Sequence, residues 1–141
     1  MVTRNIEDYL EIILLLEREF GYARVSSIAK KLTITYPSVS EMVRKLGDLG
    51  YINYERYGKI LLTDIGKRLA YDIEKRHNLW VSFLVSLGID EENAIKDACR
   101  LEHDVSEGSM VKLNKFFNYL LHSEEGKEFL KNFLKKEEGG N

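Results

Sequence analysis

The chain of 141 residues is long enough for one domain or two very small ones, and its 44% hydrophobic and 31% charged residues are ordinary for a globular protein. No apolar run reaches the roughly 18 residues that suggest a membrane helix, and the N-terminus lacks the apolar core of a signal peptide. The single cysteine excludes an internal disulfide, which is typical of a protein in a reducing cytoplasm.

The net charge of −2 conceals an uneven distribution along the chain. Between Tyr22 and Leu62 there are seven basic residues and three acidic ones, so this window carries +4 and the remainder carries −6. A basic surface on an otherwise acidic protein is a candidate for contact with phosphate groups.

The first predicted element is an amphipathic helix from about Asn5 to Phe20. Its apolar residues recur at helical spacing, Asn5 is a suitable N-cap, and Gly21 can end the helix. Asp8 and Glu11 stand at i and i+3 on this helix. Paired acids in such a helix are usually a solvated face, although they are also candidate metal ligands.

The next segment predicts a helix-turn-helix. Residues 25–32 form a short amphipathic helix, and residues 33–36 form a brief turn. Pro37 then suits the first turn of a second helix, because its missing N–H would have no helical partner there. That helix ends near residues 47–50, and two short helices joined by such a turn are typical of this motif.

A hairpin and a series of helices complete the predicted fold. Residues 51–62 predict a strand, a tight turn at Tyr57 and Gly58, and a second strand, which together make the wing of a winged helix domain. The predicted helices that follow cover residues 64–87, 91–103, 110–121 and 127–135, with a frayed tail after them. The fold class is therefore mostly α, with an N-terminal winged helix-turn-helix joined by a long helix to an α-helical domain.

The segment CRLEHD, residues 99–104, raises the possibility of a metal site. Cys99, Glu102 and His103 stand at i, i+3 and i+4, so on a helix their Cβ atoms lie about 5–6 Å apart on one face. Thiolate, carboxylate and imidazole are all good metal ligands. An ordinary explanation is also available, because a free cysteine is commonly a small buried hydrophobe. A further candidate ligand, His77, lies midway along the long helix and could equally be an exposed surface residue. Spacing alone leaves both interpretations open.

Several segments follow one another in a specific order: EDYLE, GYARVSSIAKKL, YPSVSEMVRKL, GKILLTDIGKRLA, a histidine at position 77, and CRLEHDVS. In this order they resemble the metal-dependent repressors of the diphtheria toxin repressor family, over essentially the whole chain. The similarity is greater to the short branch, the manganese transport regulators. The resemblance implies a non-enzymatic repressor that binds operator DNA as a dimer when Fe²⁺ or Mn²⁺ is bound, and so regulates metal-ion homeostasis. It also implies a winged helix domain over residues 1–72 and a metal-binding and dimerisation domain over residues 73–141.

The resemblance implies six metal ligands. They are Asp8, Glu11, His77, Cys99, Glu102 and His103. Five of them match the manganese regulators, but those proteins have a glutamate where this chain has Cys99. Iron-responsive members have the cysteine, within the same Cys-x-x-Glu-His pattern, but a methionine in place of Asp8. The ligand set is therefore a hybrid of the two branches.

The thiolate bears on the choice of metal. Mn²⁺ prefers carboxylates, carbonyls and water, whereas thiolate favours softer ions. Cys99 should therefore weaken Mn²⁺ relative to Fe²⁺, and we expect Fe²⁺ to be the physiological ion with Mn²⁺ close behind. By the affinity order, Co²⁺, Ni²⁺ and Zn²⁺ should also bind in vitro.

DNA contacts are expected at the start of the second helix of the motif and on the wing. That helix enters the major groove N-terminus first, where small hydroxyls and a proline make few strong base contacts. The basic residues should reach phosphates. The candidate DNA-binding residues are Arg24, Thr35, Pro37, Ser38, Ser40, Glu41, Arg44, Lys45, Arg56, Tyr57 and Lys59.

Two other functions compete with a metal-activated repressor. A metal-independent winged-helix regulator could use Cys99 as a redox sensor. A metalloenzyme could use the same cluster to activate water, but no separate general base, phosphate loop or nucleophile elbow is evident. Independently of the function, Trp80, Phe83, Leu84 and Leu87 crowd the late part of the long helix, and such clusters anchor interfaces as well as cores. We therefore expect a dimer that is stable without metal.

Overall fold

The computed structural model describes residues 4–139, which divide into two compact units. The N-terminal unit ends at Glu74 and the C-terminal unit begins at Lys75. The division falls inside one long helix, so the chain passes from unit to unit without a loop. None of the described helices is long and apolar enough to cross a membrane.

The N-terminal unit contains the predicted winged helix-turn-helix. Its elements are α1 (Arg4–Phe20), α2 (Val25–Leu32), α3 (Tyr36–Asp48), β1 (Ile52–Tyr54), a short 3₁₀ turn (Arg56–Gly58), β2 (Ile60–Leu62) and the start of α4 (Asp64–Ser86). Gly21 follows α1 with φ 86°, a left-handed conformation that suits a residue without a Cβ. Pro37 lies at the first turn of α3, where its missing N–H breaks no helical hydrogen bond. The predicted fold class is confirmed.

One apolar core holds this unit together. Leu10 and Ile13 of α1, Ile28 of α2, Leu46 of α3 and Ile60 of β2 are completely buried in it. Residues 39, 43 and 46 of α3 all face this core and form one apolar stripe at helical spacing. The opposite face of α3 is therefore left on the surface.

The wing is a two-stranded antiparallel hairpin that a third segment extends. Ile52 pairs with Leu62 and Tyr54 pairs with Ile60. Ala23, in the segment between α1 and α2, exchanges two backbone hydrogen bonds with Ile60, at 2.9 and 2.8 Å. The base of the wing is thus fixed to the chain that leads into the helix-turn-helix.

The C-terminal unit consists of the rest of α4 and three further helices. These are α5 (Glu91–Asp104), α6 (Glu107–His122) and α7 (Glu124–Glu138). The frayed tail predicted from residue 135 is wrong as far as Glu138, since α7 continues through Lys135 and Lys136, whose charges favour the C-terminal end of a helix.

The aromatic residues of late α4 belong to the core of the C-terminal unit. Trp80 packs edge-on against Phe117 of α6, with ring centroids 5.1 Å apart, and Phe83 stacks on Phe117 at 4.3 Å. Trp80 and Leu84 are each only 8% exposed. Phe83 and Leu87, the other two members of the predicted cluster, are half-buried. That this cluster also anchors a dimer therefore stays a prediction.

Candidate metal centre and DNA-binding surface

Three of the six predicted ligands meet within the C-terminal unit. His77 lies on α4, and α5 presents Cys99 and Glu102 one turn apart on the same face. His77 Nδ1 is 2.8 Å from Glu102 Oε2 and 3.8 Å from Cys99 Sγ. One ligand atom from each of the three side chains lies within 4.8 Å of the other two.

Glu102 is the centre of this cluster and its most buried member. Only 1% of its side chain is exposed. His77 bonds one carboxylate oxygen, and His103 Nε2 lies 3.1 Å from the other, Oε1. Among the described residues, Oε1 accepts no hydrogen bond of good geometry. A buried carboxylate is strongly unfavourable without a compensating positive charge, so this arrangement favours a bound cation.

The three side chains fit a divalent metal in both geometry and chemistry. Bonds from a metal to nitrogen, oxygen and sulfur ligands are about 2.0–2.3 Å long, so ligand atoms this close need only small side-chain rotations to reach one ion. Imidazole, thiolate and carboxylate together suit first-row transition metals. Cys99 is the exposed member of the set, which leaves the cluster open to solvent.

The other three predicted ligands, His103, Asp8 and Glu11, lie outside this group of three side chains. His103 follows Glu102 on α5, and its side chain is 1% exposed. Asp8 and Glu11 lie in the N-terminal unit on α1, half-buried and about one helical turn apart.

The predicted DNA-reading residues of α3 lie on its surface. Thr35, the N-cap, donates a hydrogen bond from its hydroxyl to Ser38 Oγ at 2.9 Å. All seven predicted residues of this region are exposed; they are Thr35, Pro37, Ser38, Ser40, Glu41, Arg44 and Lys45. A shallow groove of about 300 Å³ lies between α3 and the wing, with Ser40 and Arg44 on one side and Tyr54 on the other. The sequence analysis did not single out Tyr54, which is 58% exposed.

The wing residues form a second cluster beside this surface. Tyr57, at the tip, is 84% exposed and has φ 63°. The Arg24 guanidinium donates a hydrogen bond to the carbonyl oxygen of Tyr57. Arg24 and Lys59 both approach the ring of Tyr22.

Tyr22 was missed in the sequence analysis, although a signal for it exists. In an extended segment, residues i and i+2 point to the same side of the chain. Tyr22 therefore shares a side with Arg24, and the predicted wing could have placed Lys59 opposite them.

Comparison with known proteins finds a matching family for the N-terminal part of the chain and another for the C-terminal part. Residues 1–60 match the family described as iron dependent repressor, N-terminal DNA binding domain. Residues 63–131 match its companion, iron dependent repressor, metal binding and dimerisation domain. The chain belongs to the iron dependent repressor family.

Individual relatives in this family are similar over the full length. The HTH-type transcriptional regulator MntR of Bacillus subtilis (strain 168) is 38% identical over 141 residues, which cover 100% of this chain and 99% of the relative. MntR of Geobacillus thermodenitrificans (strain NG80-2) is 38% identical over 140 residues, with 99% of each chain covered. The solved structure of the manganese regulator SloR is 33% identical with a TM-score of 0.69, and covers 84% of this chain and 55% of that one.

Membership settles the broad function. The protein is a metal-dependent transcriptional repressor of metal homeostasis, and not an enzyme. Proteins of this family bind operator DNA as dimers and respond to Fe²⁺ or Mn²⁺. The expected family, fold and function are confirmed, and the alternative of a metal-independent redox sensor is not favoured.

Proposed function

We propose that this repressor senses Fe²⁺ or Mn²⁺ through one site built from carboxylates, imidazoles and a thiolate, and that occupancy of this site favours operator binding. The observation that carries the proposal is the buried Glu102 carboxylate, which His77 and Cys99 approach in the C-terminal unit. The proposed ligands are Asp8, Glu11, His77, Cys99, Glu102 and His103. Since its target is operator DNA, we also propose that it acts in the cytoplasm.

The carboxylates and the thiolate of this ligand set affect the choice of metal in different ways. Asp8 and Glu11 are hard oxygen donors, which suit both Mn²⁺ and Fe²⁺. Cys99 is the softer donor, and it should shift the preference of the site from Mn²⁺ toward Fe²⁺. The resemblance to the manganese regulators assigns Asp8 and Glu11 to the same ion as the ligands of α4 and α5. When bound, the ion supplies the positive charge that a buried Glu102 requires.

A ligand set drawn from both units explains how metal could control DNA binding. Asp8 and Glu11 precede the helix-turn-helix in the chain, whereas Cys99, Glu102 and His103 belong to the C-terminal unit. Closing such a set would restrain the position of the DNA-binding unit. The gain in DNA affinity equals the differential affinity of the site for metal in the DNA-competent arrangement, and by linkage DNA tightens metal binding equally.

The DNA contacts follow from the exposed residues of α3 and the wing. Thr35, Pro37, Ser38, Ser40 and Glu41 lie at or near the end of α3 that would face the base edges. The basic side chains should contact phosphates, which fix register without reading sequence. They are Arg24, Arg44, Lys45, Arg56 and Lys59, with Tyr57 beside them on the wing. A dimer would place two such surfaces on half-sites about one helical turn apart.

The decisive experiment compares the two metals with and without the thiolate. DNA affinity is measured against free Fe²⁺ and free Mn²⁺, under strict exclusion of oxygen, for the wild type, Cys99→Glu and Cys99→Ala. The duplex is one that the wild-type protein selects from a random library in the presence of Mn²⁺. Asp97→Asn is the matched control, because it removes an exposed carboxylate from the same helix.

We expect Cys99→Glu to shift activation toward Mn²⁺ and Cys99→Ala to weaken activation by Fe²⁺ more than by Mn²⁺, while Asp97→Asn behaves as the wild type. Asp8→Ala should abolish metal-dependent DNA binding and leave the dimer intact. If Cys99→Glu leaves the relative response to the two metals unchanged, Cys99 is not a ligand. If DNA affinity does not respond to any divalent metal, the proposed sensing function is wrong.

A further inference from the structure

One aromatic ring at the base of the wing contacts two cations. The Arg24 guanidinium carbon lies 5.0 Å from the centroid of the Tyr22 ring, and Lys59 Nζ lies 4.9 Å from it. Both distances are within the range of a favourable cation–π interaction, in which the negative face of the ring attracts the positive charge. All three side chains are half-buried, so the contacts are partly shielded from water.

The backbone holds these residues in register. The two hydrogen bonds between Ala23 and Ile60 align the segment around Tyr22 with the start of β2. Tyr22 and Arg24 flank Ala23, and Lys59 precedes Ile60, so all three residues adjoin the paired positions.

Arg24 makes a second contact, with the tip of the wing. Its guanidinium donates to the carbonyl oxygen of Tyr57 and lies close to Gly58. Tyr57 and Gly58 both have positive φ, at 63° and 73°, so this bond stabilises a left-handed turn that a tyrosine rarely adopts. The arginine therefore links the Tyr22 ring to the tip of the wing.

Bringing the two cations together requires an explanation. Both lie near one ring, so they are at most about 10 Å apart, which is within the distance over which charges interact at moderate salt. Two like charges at this separation repel each other, and ordering lysine and arginine side chains loses much rotamer entropy. A polyanion that contacts both would gain from a pair that is already ordered, because less entropy is then lost on binding.

We propose that Tyr22 is a positioning residue that holds Arg24 and Lys59 as a preformed phosphate-binding pair on the wing. The proposal rests on the DNA-binding function proposed above and adds to it a residue that does not itself contact DNA. Tyr22 acts through the face of its ring, so the phenol hydroxyl is dispensable and Tyr22→Phe should preserve the pair. An aliphatic side chain of comparable size, as in Tyr22→Leu, should lose it.

The test measures binding of the full-length protein with Mn²⁺ to two duplexes across a series of salt concentrations. One duplex is selected by the wild-type protein from a random library, and the other is unselected. The variants are Tyr22→Phe, Tyr22→Leu, Lys59→Gln and the double variant Tyr22→Leu/Lys59→Gln. Circular dichroism and the melting temperature verify the fold of each.

We expect Tyr22→Leu to weaken binding to both duplexes about 5- to 30-fold at low salt, since Arg24 and Lys59 must then lose their rotamer entropy on binding instead of being ordered beforehand. The slope of log affinity against log salt should fall by about one, as for a lost phosphate contact. Tyr22→Phe should stay within about twofold of the wild type. In the double variant, the loss should be smaller than the product of the two single losses, because both changes remove the same lysine contact.

Specific outcomes would overturn the proposal. Wild-type salt slope and affinity in a folded Tyr22→Leu would show that the ring does not position the cations. An equal loss in Tyr22→Phe would assign the effect to the hydroxyl instead. If Tyr22→Leu does not fold, Lys59→Gln decides: an unchanged salt slope there removes the phosphate contact on which the proposal depends. If the wild-type protein shows no metal-dependent DNA binding, the proposed function is wrong, and the Tyr22 proposal, which rests on it, fails with it.

Discussion

Replacing Gly66 by alanine should strongly destabilise the DNA-binding unit. Gly66 is buried in the first turn of α4, where that turn packs on the residue that precedes β1. A Cβ at this position would lie 2.0 Å from the backbone oxygen of Tyr51 and 3.3 Å from Leu62 Cδ2. The first of these contacts is with backbone, so rotating a side chain cannot relieve it.

The loss of stability caused by Gly66→Ala can be estimated from the contacts that the new Cβ would disrupt. Separating α4 from Tyr51 by more than 1 Å also strains the hydrogen bond from Thr63 N to the same Tyr51 oxygen, which is 3.0 Å long. Overpacking costs about 1–3 kcal/mol and a strained or lost hydrogen bond adds about 1 kcal/mol, so we expect a loss of about 2–4 kcal/mol. For a unit of this size, that corresponds to a fall in melting temperature of roughly 8–32 °C.

Gly47→Ala is the matched control, since Gly47 also lies in a helix of the N-terminal unit. Nothing lies within 4 Å of the Cβ that it would gain, so the substitution should be neutral or stabilise α3 by up to about 1 kcal/mol. Both variants are melted in metal-free buffer and followed by far-ultraviolet circular dichroism. A Gly66→Ala protein that melts within about 2 °C of Gly47→Ala would refute the packing argument, because the 2–4 kcal/mol difference predicts far more.

Three further predictions concern separate features. Phe117→Ala should destabilise the C-terminal unit by about 3–5 kcal/mol and expose the single tryptophan, seen as a red shift of its fluorescence. Phe116→Ala, which removes a half-exposed ring 6.1 Å from that of Phe117, should cost only about 0.5–1.5 kcal/mol. Asp90 caps α5, and hydrogen bonds from Asn93 hold the pKa of its carboxyl below the usual value. Because the folded-state pKa is lowered, the stability that this cap contributes is present above about pH 4 and is lost as pH falls through the folded-state pKa, so the melting temperatures of Asp90→Ala and the wild type should converge in acid. Arg44→Ala should weaken selected and unselected duplexes alike and reduce the salt slope by about one, and a change in preferred bases instead would contradict a phosphate contact.

Local patterns made the secondary structure predictable. The apolar spacing of α1, the position of Pro37 and the turn at Tyr57 and Gly58 all act through residues close in sequence, so their structural consequences can be derived without tertiary contacts. The order of these elements identifies a winged helix-turn-helix, and the exposed residues of α3 follow from its apolar stripe. The spacing of Cys99 and Glu102 on one helix face was predictable for the same reason.

Contacts between distant segments were not predictable from such patterns. The aromatic side chains of late α4 suit an interface or a core equally well by composition, and only the tertiary structure shows that Trp80 and Phe83 pack on Phe117 of α6. The ring of Tyr22 was overlooked because its partners are two residues away in one case and 37 in the other. The pairing of Ala23 with Ile60 brings the more distant partner to it.

The sequence by itself determined the order and type of the elements, the basic character of the DNA-binding half and the ligand types that can hold a metal. The resemblance in motif order added the family. Tertiary structure decided which of these groups meet: it buried Glu102 against His77, left Cys99 exposed beside them and gathered two cations on one tyrosine ring. The physical reason is the distance along the chain over which each kind of interaction acts. Helix spacing and turn preferences depend on a few neighbouring residues, whereas burial and charge pairing depend on which distant segments the whole core brings together.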